Sequence, residues 1–145
     1  MSIAKAYDVA HVRFRAPDLA KMRAFLLDFG MVDSVPEQPK GQLFMRGTGR
    51  APFLHSTEQG EPGFAALGIW VRDLADLERL AAHDGVPVET FDAPGGGFVV
   101  RLTDPDGFVI EAIAEQRPLP ANERTLPFPD VWNHGGTYPR VARFR

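Results

Sequence analysis

The residues best suited to chemistry lie in one acidic stretch, residues 103–111, with the sequence TDPDGFVIE. Its DPDG tetrapeptide predicts a tight turn, because proline presets φ and glycine accepts a positive φ. The apolar run after the turn predicts a strand, and Glu111 continues that strand. An ionised carboxylate in an apolar strand is costly unless a cation or a metal ion pairs with it. Glu111 is therefore either a paired, functional carboxylate or an ordinary glutamate at an exposed strand edge.

The composition is that of one soluble globular domain. The chain has 145 residues, of which 44% are hydrophobic and 24% are charged. The net charge of -3 argues against a general nucleic-acid-binding protein. There is no cysteine, which excludes disulfides and thiolate metal sites. The first residues contain no apolar run long enough for a signal peptide or a membrane span, so we expect a cytoplasmic protein without a membrane partner.

The elements that must position Glu111 are predicted in the same order in two halves of the chain. Apolar alternation predicts eight strands, at residues 7–14, 31–35, 42–46, 52–57, 64–71, 86–91, 98–103 and 108–114. Two apolar stripes with three- and four-residue spacing predict helices capped by Asp18 and Asp73. Gly30 and Gly85 are predicted to end them.

The two halves are related by a repeat. Three landmarks recur at a separation of 55 residues: Asp-Leu-Ala at 18–20 and 73–75, Gly30 and Gly85, and Arg46 and Arg101. This spacing predicts duplication of a strand–helix–strand–strand–strand unit. One unit is too small to bury its own sheet, so two must pack together. We expect one domain over 1–116, with modules at about 7–58 and 64–115. A proline-rich arm or linker follows at 117–145, and its four aromatic residues predict that it lies against the folded part.

The sequence resembles the vicinal oxygen chelate superfamily, which includes glyoxalase I, extradiol ring-cleaving dioxygenases and bleomycin resistance proteins. The resemblance is carried by HVRFRAPDL at 11–19, LFMRGTG at 43–49, GIWVRDLADLERLA at 68–81 and TDPDGFVIE at 103–111, and it covers about residues 7–115. It implies an α+β fold in which two βαβββ modules form a curled mixed sheet around a cup that holds a divalent metal. It also implies a homodimer and a small-molecule substrate.

The resemblance implies metal ligands in the first and last strands of each module. Carried over to this sequence, they are His11 and His55 in module one and Glu111 in module two, and Glu111 is also the implied catalytic residue. Ala66 stands where relatives place a further histidine. Two imidazoles and a carboxylate suit Fe, Mn, Ni or Zn. We therefore expect the three side chains to converge on one point; the alternative is that the two histidines are unrelated.

Arg13 and Trp70 are the candidate substrate-binding residues. By strand alternation Arg13 shares the face of His11, where its guanidinium could bind a substrate carboxylate or enolate oxygen. The alternative is a solvated strand edge. Trp70 shares a face with the small residues Ala66 and Gly68, so it could form the floor of a small pocket.

Three functions fit these residues. The first is a metal-dependent dioxygenase- or glyoxalase-like protein that chelates neighbouring oxygens of a small substrate. The second is the non-catalytic first domain of a two-domain extradiol-dioxygenase-like protein, which Ala66 and the proline-rich arm favour. The third is a metal-free binding protein of the bleomycin-resistance type. Metal content separates the first function from the other two.

Overall fold

A computed structural model describes residues 2–121 as an α+β fold. Its elements are, in chain order, β1 (Ala6–Ala16), α1 (Leu19–Asp28), β2 (Val32–Asp33), β3 (Gln42–Arg46), β4 (His55–Gln59), β5 (Gly63–Val71), α2 (Leu74–Asp84), β6 (Glu89–Thr90), β7 (Phe98–Thr103) and β8 (Val109–Ala114). The order βαβββ therefore occurs twice, as the sequence predicted. Within the described range, neither helix has the length and hydropathy needed to cross a membrane.

All eight strands form one mixed, curled and unclosed sheet in the order β2-β3-β4-β1-β5-β8-β7-β6. The first strands of the two modules, β1 and β5, are antiparallel neighbours at its centre. Each of them lies parallel to the last strand of its own module, β4 or β8. Val12 lies opposite Leu67, and these residues are separated by the same 55 positions as the sequence landmarks. The modules are thus related by a local twofold axis near this pair.

One of the three sequence landmarks does not follow the repeat in the structure. Arg101 lies opposite Glu111 on the neighbouring strand. The residue 55 positions before Glu111 is Ser56, and Ser56 lies opposite Phe44 rather than Arg46. The 55-residue separation of Arg46 and Arg101 is therefore a coincidence, because the two residues do not occupy equivalent places in the modules. The helix caps Asp18 and Asp73, in contrast, are equivalent.

Side-chain caps define both helices. Asp18 accepts a hydrogen bond from the backbone N–H of Lys21, and Asp73 accepts one from that of Asp76. Gly85 ends α2 in the left-handed conformation with φ 67°, as the sequence predicted. In α1 the C-terminal cap is Phe29, one residue before the predicted Gly30.

The apolar core is divided between the two faces of the sheet. On one face α1 packs on Leu43 and Met45 of β3, and α2 packs on Val100 and Ala112 of β7 and β8. The other face has its own apolar cluster: Ala10, Phe44, Phe53, Phe91, Val99 and Ile113. We call these the helix face and the cup face. Because neither α1 nor α2 covers the cup face, its central residues are the ones available for a site.

Candidate functional site

His11 and Glu111 meet at the centre of the cup face. Their side chains are 1% and 2% exposed, and His11 Nε2 donates to Glu111 Oε2 over 2.9 Å. They come from β1 and β8, on either side of β5, and both lie opposite Gly68. A Cβ at Gly68 would overlap the His11 ring, so this glycine leaves the space in which the imidazole lies. The β1 register also shifts between Val9 and His11, which re-aims the side chain.

Glu111 is the middle of a chain of alternating charges. Arg13 Nη2 lies 3.1 Å from Glu111 Oε2, and Arg101 Nε donates to Oε1 at 3.1 Å. Arg13 Nη1 in turn donates to Glu58 at 2.7 Å, and Arg101 Nη1 donates to Glu89. The central carboxylate is buried, whereas the terminal carboxylates Glu58 and Glu89 are partly exposed. Both oxygens of Glu111 are therefore bound by cationic side chains of the protein. We call these five residues the charge chain.

The pKa of Glu111 reflects two opposing effects. Burial raises its pKa, because the charged form loses water. The hydrogen bond from His11, the charge of Arg13 and the hydrogen bond from Arg101 lower it. The contacts with these cationic groups outweigh the effect of burial, so the pKa of Glu111 lies below the ordinary value of 4.5. Glu111 is therefore ionised at neutral pH although it is buried.

The surroundings of His11 are apolar on one side. Its ring centroid lies 4.5 Å from that of Phe53 and 5.9 Å from that of Phe91. Among residues 2–121, three buried polar atoms near this centre have no hydrogen-bond partner: His11 Nδ1, Arg13 Nε and Ser56 Oγ. The centre of the cup face is thus a closely packed mixture of aromatic rings and paired charges.

His55 lies on the helix face, away from His11 and Glu111. It is opposite Val12 and Met45 in the sheet, and its ring stacks on Phe14 with centroids 5.3 Å apart. The expected convergence of His11, His55 and Glu111 therefore does not occur. Alternation along the predicted strand 52–57 placed His55 on the same face as Phe53. The strand β4 begins only at His55, so alternation does not extend back to Phe53, and the two side chains lie on opposite faces.

Trp70 lines a cleft of about 920 Å³ at one end of the cup face. Its Nε1 donates to Gln116 Oε1 at 2.9 Å, and its ring stacks on Tyr7. The position suits the predicted role in a pocket, although the cleft is separate from the charge chain. Arg13 is on the cup face as expected, but two carboxylates already occupy its terminal nitrogens. Neither substrate-binding role is tested by these contacts, and both stay predictions.

The side chains at the centre of the cup do not fit a catalytic metal well. The twofold relation gives four equivalent positions, His11 and Ser56 from module one and Ala66 and Glu111 from module two. Alanine cannot coordinate a metal, and a serine hydroxyl is not among the common ligands of such sites. Two arginines occupy the Glu111 oxygens. Within residues 2–121, no group of three His, Cys, Asp or Glu side chains is arranged to hold a metal ion.

Sequence reasoning missed Arg101 and Glu58 as partners of this site. Arg101 could have been found, because the predicted DPDG turn joins β7 directly to β8 and sets their register. Thr103 then pairs with Val109, which places Arg101 opposite Glu111. Glu58 gave no such signal, since its strand is reached through the irregular segment 47–54.

The fold is that of a paired-module protein, in which two βαβββ modules share one curled sheet. Polar groups lie at the centre of the face that points away from the helices. The profile of the Glyoxalase/Bleomycin resistance protein/Dioxygenase superfamily matches residues 8–112. The chain belongs to this superfamily, as its sequence resemblance predicted. Among curated protein sequences, none matches the chain significantly.

Solved structures agree with the fold. The Mn(II)-bound glyoxalase from Novosphingobium aromaticivorans aligns with a TM-score of 0.73 and 16% identity over 84% of this chain and 43% of its own. An extradiol ring-cleaving dioxygenase from B. fuscum aligns with a TM-score of 0.69 and 23% identity, over 80% of this chain and 34% of its own. Homoprotocatechuate 2,3-dioxygenase from Arthrobacter globiformis aligns with a TM-score of 0.68 and 24% identity, over 81% of this chain and 38% of its own. This chain spans less than half the length of each.

Proposed function

We propose that this chain is a metal-free unit of the superfamily and serves as the non-catalytic domain of an extradiol-dioxygenase-like protein. The observation that carries the proposal is that both oxygens of Glu111 are bound by protein cations, Arg13 and Arg101. The charge chain links five strands of the cup face, so it replaces a metal ion as the structural link between the modules.

Electrostatics supports this proposal. A divalent ion on Glu111 would lie close to two guanidinium groups. At about 4 Å and an effective dielectric constant of about 20, a divalent ion and one guanidinium repel each other by roughly 8 kcal/mol. By the same estimate, a divalent ion about 2.1 Å from Glu111 is attracted to its charge by roughly 16 kcal/mol, which two such repulsions cancel. Metal binding would therefore require Arg13 and Arg101 to leave their present partners.

The lengths of the structural relatives also support a non-catalytic role. The alignment with the Mn(II)-bound glyoxalase covers 84% of this chain but only 43% of the glyoxalase. The alignment with the B. fuscum dioxygenase covers only 34% of that protein. Those proteins contain more chain than one pair of modules. Chemistry in such an assembly can lie in another pair, which leaves this unit free to lose its ligands.

A second candidate is a divalent-metal-dependent glyoxalase- or dioxygenase-like enzyme, with Fe, Mn, Ni or Zn as cofactor and Glu111 as catalytic residue. One observation favours it: His11 Nε2 and Glu111 Oε2 are 2.9 Å apart. Two adjacent ligands of one metal, each at about 2.1 Å, are separated by a similar distance. One of the structural relatives is a Mn(II)-bound glyoxalase. This candidate requires ligands beyond His11 and Glu111.

Elemental analysis distinguishes the two candidates. The untagged protein and a Glu111→Ala variant are purified from cells supplied with Fe, Mn, Ni and Zn, and their metal content is measured by mass spectrometry. We expect only traces of metal, at equal levels in both proteins. About one equivalent in the original protein, lost in the variant, would establish a metal site at Glu111, reject our proposal and favour the second candidate.

A small-molecule ligand and a homodimer, both expected from the superfamily, belong to the same proposal. Light scattering after size-exclusion chromatography tests the dimer directly. A monomeric mass at all concentrations would reject that part without affecting the metal-free cup.

A further inference from the structure

The cleft at the end of the cup face combines a pair of aromatic rings with exposed apolar side chains. Its volume is about 920 Å³. Tyr7, Val9 and Leu54 line it, and within residues 2–121 they are 66%, 54% and 40% exposed. The ring of Tyr7 stacks on that of Trp70, with centroids 6.2 Å apart, and most of Tyr7 is left uncovered. Apolar side chains that are exposed together on one concave surface are typical of a binding site.

The backbone that leaves the last strand is bonded to the wall of this cleft. Pro118 and Arg50 both line it. Leu119 N donates to Arg50 O at 2.9 Å, and the guanidinium of Arg46 donates to Pro120 O. These bonds fix the course of the chain as far as residue 120. The residues that follow therefore start at the rim of the cleft.

Residues 122–145 lie outside the described part of the chain, but their sequence matches the cleft in two ways. Residues 126–129 read Leu-Pro-Phe-Pro. Proline-rich segments dock in aromatic-lined grooves at a low entropic cost, because φ is already fixed at each proline. Charge is the second match. Four arginines and two carboxylates give residues 122–145 a net charge of +2, so the total of -3 leaves -5 on residues 1–121. Opposite net charges favour contact between the two parts.

We propose that the cleft is the docking site of this chain's own residues 126–129, whose proline and phenylalanine rings pack on Tyr7 and Trp70. The segment begins only a few residues after the last backbone bond to the cleft wall. Its effective concentration at the cleft is therefore on the order of millimolar, so that a weak contact is enough to occupy it. In the full chain these residues exclude small molecules from the cleft. The cleft is separate from the charge chain, so this proposal does not depend on the metal-free cup.

A spin label on the full chain tests the proposal. The sequence has no cysteine, so Thr125→Cys gives a single position for a nitroxide, which broadens the resonances of nearby nuclei. We expect the indole N–H signal of Trp70 and the amide signals of Tyr7 and Leu54 to fall below half of their intensity. The tether alone keeps the label near the cleft, so the comparison with a second labelled chain decides the result.

That second chain carries Pro127→Gly, Phe128→Gly and Pro129→Gly, which keep the tether but remove the docking rings. The broadening at Trp70 should be at least twofold weaker in it. The matched control carries Tyr138→Gly and Pro139→Gly, which remove the other adjacent aromatic and proline residues of the segment. It should keep the full broadening.

Equal broadening at Trp70 with and without the rings of residues 127–129 would overturn the proposal, as would broadening centred away from the cleft. A mixture of isotopically labelled chain without nitroxide and unlabelled chain with nitroxide tests the remaining alternative. We expect no broadening in this mixture. Broadening of the Trp70 signal in it would show that the segment of a second copy fills the cleft, and would overturn docking within one chain.

Discussion

Glu111 illustrates at the scale of one residue how a buried charge is tolerated in an apolar strand. Its oxygens receive contacts from His11, Arg13 and Arg101, so the loss of water is offset by charged donors. The sequence left open whether Glu111 is a paired carboxylate or an exposed strand glutamate. The family resemblance brought His11 towards it, as a second metal ligand, but Arg13 and Arg101 were not identified as its partners; Arg13 lies about a hundred positions from Glu111 in the chain.

We predict that Glu111→Gln destabilises the protein by roughly 3 kcal/mol, because it leaves two arginines beside an uncharged amide. Urea unfolding at neutral pH measures this change. Glu61→Gln is the matched control, since Glu61 is exposed and its neutralisation should change stability by less than about 0.5 kcal/mol. Equal effects of the two substitutions would contradict the importance of the charge chain.

The same pair of proteins predicts a pH dependence. The pKa of Glu111 is lowered on folding, so its contribution is fully present above the ordinary value of 4.5 and is lost as the pH falls through the folded value. The stability difference between the original protein and Glu111→Gln should therefore shrink below about pH 4.5. A difference that stays constant at acid pH would show that the carboxylate charge is not what stabilises the site.

His55 gives a second pH prediction at the scale of one residue. Burial lowers its pKa below 6.5, so below that pH the unfolded chain binds a proton that the folded chain does not. Stability should thus decrease as the pH falls from 6.5 through the folded pKa. Melting temperatures from neutral pH to about pH 5.5 should fall less in His55→Phe. His83→Gln, at an exposed position, is the control and should follow the original protein.

At the scale of elements, the central strands place the site through their register. β5 separates the strands that carry His11 and Glu111, and Gly68 is the residue of β5 over which the two side chains meet. The alternation of faces was correctly predicted for regular strands. It failed for His55, because an irregular segment precedes β4 and a displacement of one residue exchanges the two faces. Local sequence does not reveal where such a segment ends.

We predict that Gly68→Ala displaces the His11 ring and destabilises the protein by about 1–3 kcal/mol, since the added carbon overlaps the imidazole. Gly60→Ala is the matched control, because the nearest atom to its added carbon is Arg15 Cδ at an ordinary 3.8 Å. Thermal unfolding measures both proteins, and the histidine side-chain resonances report the ring position. An unchanged His11 environment in Gly68→Ala would contradict this reading of the site.

At the scale of the whole molecule, the duplicated pattern made the architecture predictable. The two helices, the 55-residue spacing and the order of strands all agree with the paired-module sheet. The short edge strands were predicted too long, since β2 and β6 have only two residues each and lie at the ends of the sheet. The arm was predicted at 117–145; its first residues, to 121, are described, and the rest lies outside the described residues.

The segment 116–121 is bonded to the folded part, which gives a prediction about truncation. Arg117 N donates to Gly95 O and Leu119 N donates to Arg50 O, both at 2.9 Å. Gln116 bonds to Trp70 and to Pro94. A chain that ends at residue 115 should therefore be less stable than one that ends at residue 121 by about 2–4 kcal/mol. Calorimetry of both truncated proteins measures this difference; equal melting temperatures would show that the segment is only a tether.

Protein cations, and not a metal ion, hold Glu111 in the proposed metal-free unit. Titration of the isotopically labelled protein with Co(II) tests this proposal, because a bound paramagnetic ion broadens the resonances of nearby nuclei. We expect no saturable broadening at His11, Glu111 or Gly68, and the same spectra for Glu111→Ala apart from local shifts. Saturable broadening centred on His11 and Glu111, at one Co(II) per chain and absent in the variant, would contradict it.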